Sequence, residues 1–105
     1  MWNEPTKEDL AKLPRLYETE SVPLRDKQIH LHFFLAGCDW YVAEYDGEDL
    51  FWGYAILNGD HDNAEWGYMS FEELKALKMR PGLEVDLDLY WKVRPASQVD
   101  NITNL

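Results

Sequence analysis

From Gln28 to Leu57 the chain follows a period of two, rich in aromatic and β-branched residues, and it is interrupted only by Ala36-Gly37-Cys38 and by Asp46-Gly47-Glu48-Asp49. Alternation of this kind predicts strands, and links this short force neighbouring strands to run antiparallel. Three strands are expected, over about Gln28–Leu35, Asp39–Tyr45 and Leu50–Leu57. Asp46-Gly47 is a hairpin-turn signal, because glycine takes the positive φ that a tight turn needs. Both faces of these strands are apolar. In the first, Ile29, Leu31, Phe33 and Leu35 share one side, with Phe34, His30 and His32 on the other. Such a sheet needs cover on both faces, or it leaves an aromatic patch open for a partner.

The flanks read as helix and loop. Thr6-Lys7-Glu8-Asp9-Leu10 starts a helix with Thr6 as N-cap and acids in the first turn, and Pro14 ends it. Leu16–Pro23 reads as an ordered loop pinned by Leu16, Tyr17 and Val22. After the polar loop Asn58–Asn63, a strand over Ala64–Met69 leads into Ser70-Phe71-Glu72-Glu73, a capping-box pattern that predicts a helix to about Lys78 with Leu74 and Leu77 inward. Glu84–Trp91 alternates, predicting a strand with Val85, Leu87, Leu89 and Trp91 buried. The polar residues after Pro95 predict a frayed tail over 95–105. The expected fold is α+β, a mainly antiparallel sheet of four to five strands with two short helices, in one domain over 1–105.

Charge is distributed unevenly. The formal net charge is −10, and between Gln28 and Leu74 there is no Lys or Arg, while ten of the twenty acids fall there. The flanks balance, so this stretch holds the entire excess. Nucleic acid and anionic membranes are recognised by neutralising phosphates with Lys and Arg, so direct binding to either is not expected. A basic protein partner is the natural complement. Eleven of the fifteen aromatic residues lie in the same region, between Phe33 and Phe71. Aromatic anchors beside steering charges suit a protein interface, which makes Glu44, Asp46, Glu48, Asp49, Asp60, Asp62, Glu65, Trp52 and Trp66 the candidate interaction residues. The lone Cys38 cannot form an internal disulfide, and Met1-Trp2-Asn3-Glu4 has neither the basic nor the apolar region of a signal peptide, so a cytoplasmic location is expected.

His32-Phe33-Phe34, Trp40–Asp46, Glu48–Tyr54, Ala64–Leu74 and Asp88–Trp91 together resemble an uncharacterised bacterial family of small acidic proteins, a numbered domain of unknown function (2958) common on plasmids and integrative elements. Glu65-Trp66-Gly67-Tyr68-Met69-Ser70-Phe71-Glu72-Glu73-Leu74 is the most specific block. The family has no assigned catalytic residues, so the resemblance transfers none. It implies the company of mobile-element transfer and antirestriction genes, and so a counter-defence role, with mimicry of nucleic acid toward a basic host factor as one form.

Candidate chemistry is sparse. His30 and His32 on one strand face would lie about 6.8 Å apart, with Cys38 or Asp39 able to turn back toward them, but the spacing is not a zinc motif. These histidines are weak metal candidates, and with the carboxylates they are also the only basis for a small acid/base enzyme. Asn58–Glu65 fails the calcium-loop template, since counting from Asp60 puts Glu65 and Phe71 where Gly and Glu belong. No nucleophile elbow, phosphate loop or dinucleotide fingerprint is present, and no cofactor is expected. The readings are therefore a non-enzymatic acidic binding module, an acidic housekeeping or scaffold domain, or that enzyme.

Overall fold

The computed structural model describes residues 1–105. Helix α1 (Lys7–Ala11) begins as the sequence predicts: the Thr6 hydroxyl accepts from the Asp9 N–H, and the Asp9 carboxylate accepts from the Thr6 N–H. Nine strands follow in chain order: β1 (Gln28–Ile29), β2 (Leu31–Leu35), β3 (Cys38–Tyr45), β4 (Leu50–Ile56), β5 (Glu65–Ser70), β6 (Lys78–Arg80), β7 (Leu83–Glu84), β8 (Asp86–Leu87) and β9 (Arg94–Pro95), with α2 (Phe71–Ala76) between β5 and β6. The main sheet is antiparallel in the order β5-β4-β3-β2-β8, and β1–β9 and β6–β7 form two-stranded ribbons. The fold is α+β. No helix is long and apolar enough to cross a membrane.

The turns form where the sequence places them. Ala36 and Gly37 both have positive φ, the conformation of a two-residue hairpin turn that matches strand twist. At the next link one oxygen of Asp46 accepts from the N–H groups of Glu48, Asp49 and Leu50, and Gly47 has a φ of +91°.

Strand β3 runs through the middle and is buried on both sides from Trp40 to Tyr45. On one face Leu31, Phe33, Trp40, Val42 and Phe51 pack with Phe71 and Leu74 of α2 and with Val85 and Leu87. On the other Ile29, Tyr41, Ala43, Tyr54 and Ile56 pack with Ala64, Ala96, Val99 and Ile102. A bulge between Val42 and Glu44 inserts one residue into β3, so that Glu44 lies opposite Trp52 and Tyr45 opposite Phe51. The bulge turns Glu44 to the Trp52 side and Tyr45 into the first core. Gly53 is required beside it, since a Cβ there would fall 1.9 Å from the Tyr41 carbonyl oxygen.

Five expectations need correction. The first predicted strand is broken at His30, whose N–H donates to the Val42 carbonyl at 2.9 Å, so Ile29 enters the second core while Leu31 enters the first. The predicted strand Glu84–Trp91 survives only as β7 and β8; Asp88 accepts from the Tyr90 N–H in a turn, leaving Leu89 63% exposed. Helix α2 stops at Ala76, because the β6–β7 ribbon starts at Lys78, and Leu77 faces outward. Tyr17 does not pin its loop by burial; it is exposed, at a φ of +71°. The tail is not frayed: Ala96, Val99 and Ile102 are buried, and the Val99 and Ile102 N–H groups bond back to Ala96 and Val99. Those bonds give three residues per turn, so the three apolar side chains stack along one line and close the second core.

Ile102→Ala and Val99→Ala are each expected to lower unfolding free energy by about 2 kcal/mol in denaturant titrations, as truncations in a packed core do. Leu89→Ala should change it by no more than about 0.5 kcal/mol. A docked tail demands that order; a frayed tail and a buried Leu89 would reverse it.

Candidate functional site

Of the acids singled out by sequence, Glu44 is not on the surface. It is 5% exposed, and its carboxylate accepts from the Tyr17 and Thr19 N–H groups and from the Thr19 hydroxyl. Lys27, also buried, donates to the Thr19 carbonyl and to the Thr19 hydroxyl and lies 5.2 Å from the centre of the Trp52 ring. Thr19 thus joins a buried anion to a buried cation, the arrangement that two charges removed from water require. This network pins the Leu16–Pro23 loop. Sequence pattern missed it because Thr19, Lys27 and Glu44 share no local spacing.

Asp46 and Asp49 are also builders. Hydrogen bonds from the Glu48, Asp49 and Leu50 amides hold the Asp46 carboxyl below its usual range. Asp49 accepts from the Ser70 hydroxyl at 2.6 Å and from the Glu72 N–H at 2.7 Å, so it caps α2 together with Ser70. Asp60 accepts from the side chain and N–H of Asn63, which holds its carboxyl low and closes the loop before β5. Glu48, Asp62 and Glu65 remain exposed without such duties.

Trp52 and Trp66 stack on each other with ring centres 5.2 Å apart, and the Trp66 indole donates to the Asn104 carbonyl. Both are half-buried beside the second core, with the docked tail held against Trp66. Neither is a free anchor.

The histidines separate. His30 lines a hollow with Asp9, Lys12 and Val93, and burial pushes its imidazole down. His32 borders a different hollow, where its Nε2 lies 2.7 Å from Asp39 and its Nδ1 3.0 Å from Asp88. Its ring stacks on Tyr41 at 4.5 Å, nearly parallel. Two carboxylates occupy both ring nitrogens, so no nitrogen is left to act on a substrate. His32 ties β2 to β3 and to the turn after β8. No group of three or more His, Cys, Asp or Glu side chains is placed to hold a metal ion.

What remains open lies along β5. This strand is the sheet's edge, and its only ladder is to β4. On the face toward α2 a hollow of about 390 Å³ is bounded by Trp40, Met69, Leu74 and Leu77, with Gly67 in its floor and Glu65 and Glu73 at its rim. An adjoining hollow adds Asp60 and Asn63. Tyr68 is exposed beside it, and the hydrogen bond shared with Tyr17 holds its phenol up. Of the expected interaction residues, the structure brings Asp60 and Glu65 together here. Leu77 is not legible as a wall of this hollow because helical periodicity puts it on the core side of α2, and nothing local marks Gly67 and Met69 as neighbours of Trp40.

Fold and surface define a small α+β domain with one open, acidic sheet edge. The chain belongs to the family described as protein of unknown function (DUF2958), whose profile matches residues 9–99. No curated protein and no solved structure matches it.

Glu44→Ala should cost about 3 kcal/mol of stability, because it leaves three donors without an acceptor and the buried Lys27 charge without the anion that Thr19 links it to. Asp46→Ala should cost about 1 kcal/mol at neutral pH. The Asp46 carboxyl is lowered on folding, so its contribution is complete above the ordinary aspartate range and is lost as pH falls through the folded value. Unfolding titrations of Asp46→Ala and the parent chain should therefore converge toward pH 2; a difference that persists there would show that the charge is not what the turn uses.

Proposed function

We propose that this domain is a non-enzymatic, acidic protein-binding module whose partner presents a basic surface. The observation that carries the reading is the coincidence of two properties at β5: exposed carboxylates at Glu65, Glu73 and Asp60, and an apolar hollow, with no Lys or Arg lining either recess. Apolar area supplies affinity at an interface, and the surrounding charge supplies rate and choice of partner. The company of mobile-element transfer and antirestriction genes that the family resemblance implies favours a basic host factor as the class of partner.

Mimicry of duplex nucleic acid has less support. Duplex DNA presents about twenty charges over 35 Å, and this chain extends 42 Å at most. With Glu44 inside and Asp39 against His32, its acidic stretch displays well under that density. An acid/base enzyme built on His30 and His32 has less support still, since both nitrogens of His32 are engaged and the two rings border different hollows.

Two sets of amide substitutions test the reading. One neutralises Glu48, Asp62, Glu65 and Glu73; the other neutralises Glu4, Glu8, Glu18 and Glu20, and all eight are exposed. Affinity capture of basic proteins from bacterial lysate should fall about tenfold with the first set, lose its salt dependence, and stay unchanged with the second. Equal losses from both sets would mean that total charge alone is at work.

A further inference from the structure

The two edges of the main sheet are treated differently. Beyond β8 the N-terminus covers the edge: the Trp2 N–H donates to the Val85 carbonyl, and the Asn3 N–H and side-chain amide both donate to Asp86. At β5 the tail reaches only the entry to the strand, where the Asn104 side-chain amide donates to the Ala64 carbonyl and the Asn104 carbonyl accepts from the Trp66 indole. Residues Glu65–Ser70 pair in unbroken register with β4, and along Glu65–Met69 no backbone group is bonded to a turn, a loop or the tail. Proteins normally guard such an edge with a bulge, a proline or a lysine, because a row of unpaired amide and carbonyl groups is a template for another strand. β5 has none of these.

We infer that the outer edge of β5 binds an extended, basic segment of the partner protein as an added antiparallel or parallel strand, with one apolar side chain of that segment seated in the hollow over Gly67. This deepens the reading of a basic partner by stating how it is held. Main-chain hydrogen bonds would supply the pairing, and alternate side chains would supply selectivity, as in strand addition generally. Three features fit this occupant. The side chains of Glu65 and Met69 stand on the face that carries the hollow, and between them Gly67 leaves a gap; a Cβ built there meets nothing within 4 Å. The gap opens toward Trp40, Leu74 and Leu77, which form an apolar seat next to the strand. Both charged residues at the rim, Glu65 and Glu73, are anionic, so the residues that share the seated side chain's face, two positions before and after it, would be lysine or arginine.

Charge also decides against a second copy of this chain. Antiparallel pairing of two β5 strands about their centre sets Glu65 of one beside Ser70 of the other, close to Glu72 and Glu73, with −10 on each chain. That arrangement gathers carboxylates of both chains along one seam, whereas a basic strand neutralises them.

The test uses the full chain and a synthetic peptide, Lys-Thr-Lys-Thr-Leu-Thr-Lys-Thr-Lys, whose leucine and lysines share one face of an extended strand. Hydrogen exchange on the bound protein should show new protection confined to residues 65–70. A peptide N-methylated at alternate residues cannot complete the ladder and should bind at least tenfold more weakly. Gly67→Leu fills the hollow and should weaken the unmodified peptide about tenfold at an unchanged thermal midpoint. Should that variant fail to fold, the methylated peptide still decides the matter. Salt-sensitive binding that is indifferent to methylation and protects no part of β5 would overturn strand addition while leaving the basic-partner reading intact. The same holds for a failure of the peptide to bind when lysate capture still responds to the acidic set. Protection of β5 in the absence of peptide, with a dimer in solution, would assign the edge to a second copy and overturn the inference.

Discussion

Strand β3 can be stable only if both of its faces are covered, and most of the fold serves that requirement. Trp40 and Val42 point to one side, Tyr41 and Ala43 to the other, and each side chain is almost wholly removed from water. A two-sided apolar strand in so short a chain cannot rely on helices alone, since α1 and α2 have five and six residues. α2 closes one face with Phe71 and Leu74. The other face is closed by the short β1–β9 ribbon and by irregular chain, the loop before β5 and the three-residue turns after Pro95. Segments without a helix or sheet ladder of their own must bury apolar side chains and satisfy their backbone by other means, which explains the frequency of side-chain bonds to backbone in this molecule.

The bulge in β3 links that packing requirement to the charge pattern. By moving Glu44 to the Trp52 side, it supplies a carboxylate to the loop amides of Tyr17 and Thr19 and balances Lys27 through Thr19. Asp46 and Asp49 do similar work at the next turn and at the start of α2. Much of the acidity is thus used as acceptors for backbone donors that loops and caps leave unpaired. The carboxylates free of such duties stand out by contrast, and Glu65 and Glu73 sit beside the outer edge of β5, which the tail meets only at its entry.

The asymmetry of the two edges gives the surface its character. A short β8 overlaid by the first residues presents no template, while β5 presents a full strand with an apolar recess beside it. Leu77 belongs to this recess because α2 ends one residue earlier and the chain turns into β6. Had the helix continued to Lys78, Leu77 would pack inward and the hollow would lose a wall.

The sequence alone determined the antiparallel β2–β3–β4 strands and their turns, a further strand at β5, and the Thr6 and Ser70 caps, because these depend on contacts within a few residues: alternation, glycine at positive φ, and Thr6 or Ser70 three residues before a partner amide; the Asp49 share of the second cap came from 21 residues away. It also determined the excess of negative charge in the middle of the chain, and the shared motifs placed the chain in its family. Only tertiary structure decided which acids are available. Glu44 and Lys27 are linked through a loop residue, and His32 meets Asp88 from a distant turn, with no sequence period to announce either. The buried tail was legible in principle, since Ala96, Val99 and Ile102 recur every third residue, but a period of three identifies a surface to be buried only when something lies opposite it. That something is the second face of β3 and β4, assembled from residues forty to sixty positions earlier, and only folding brings the two together.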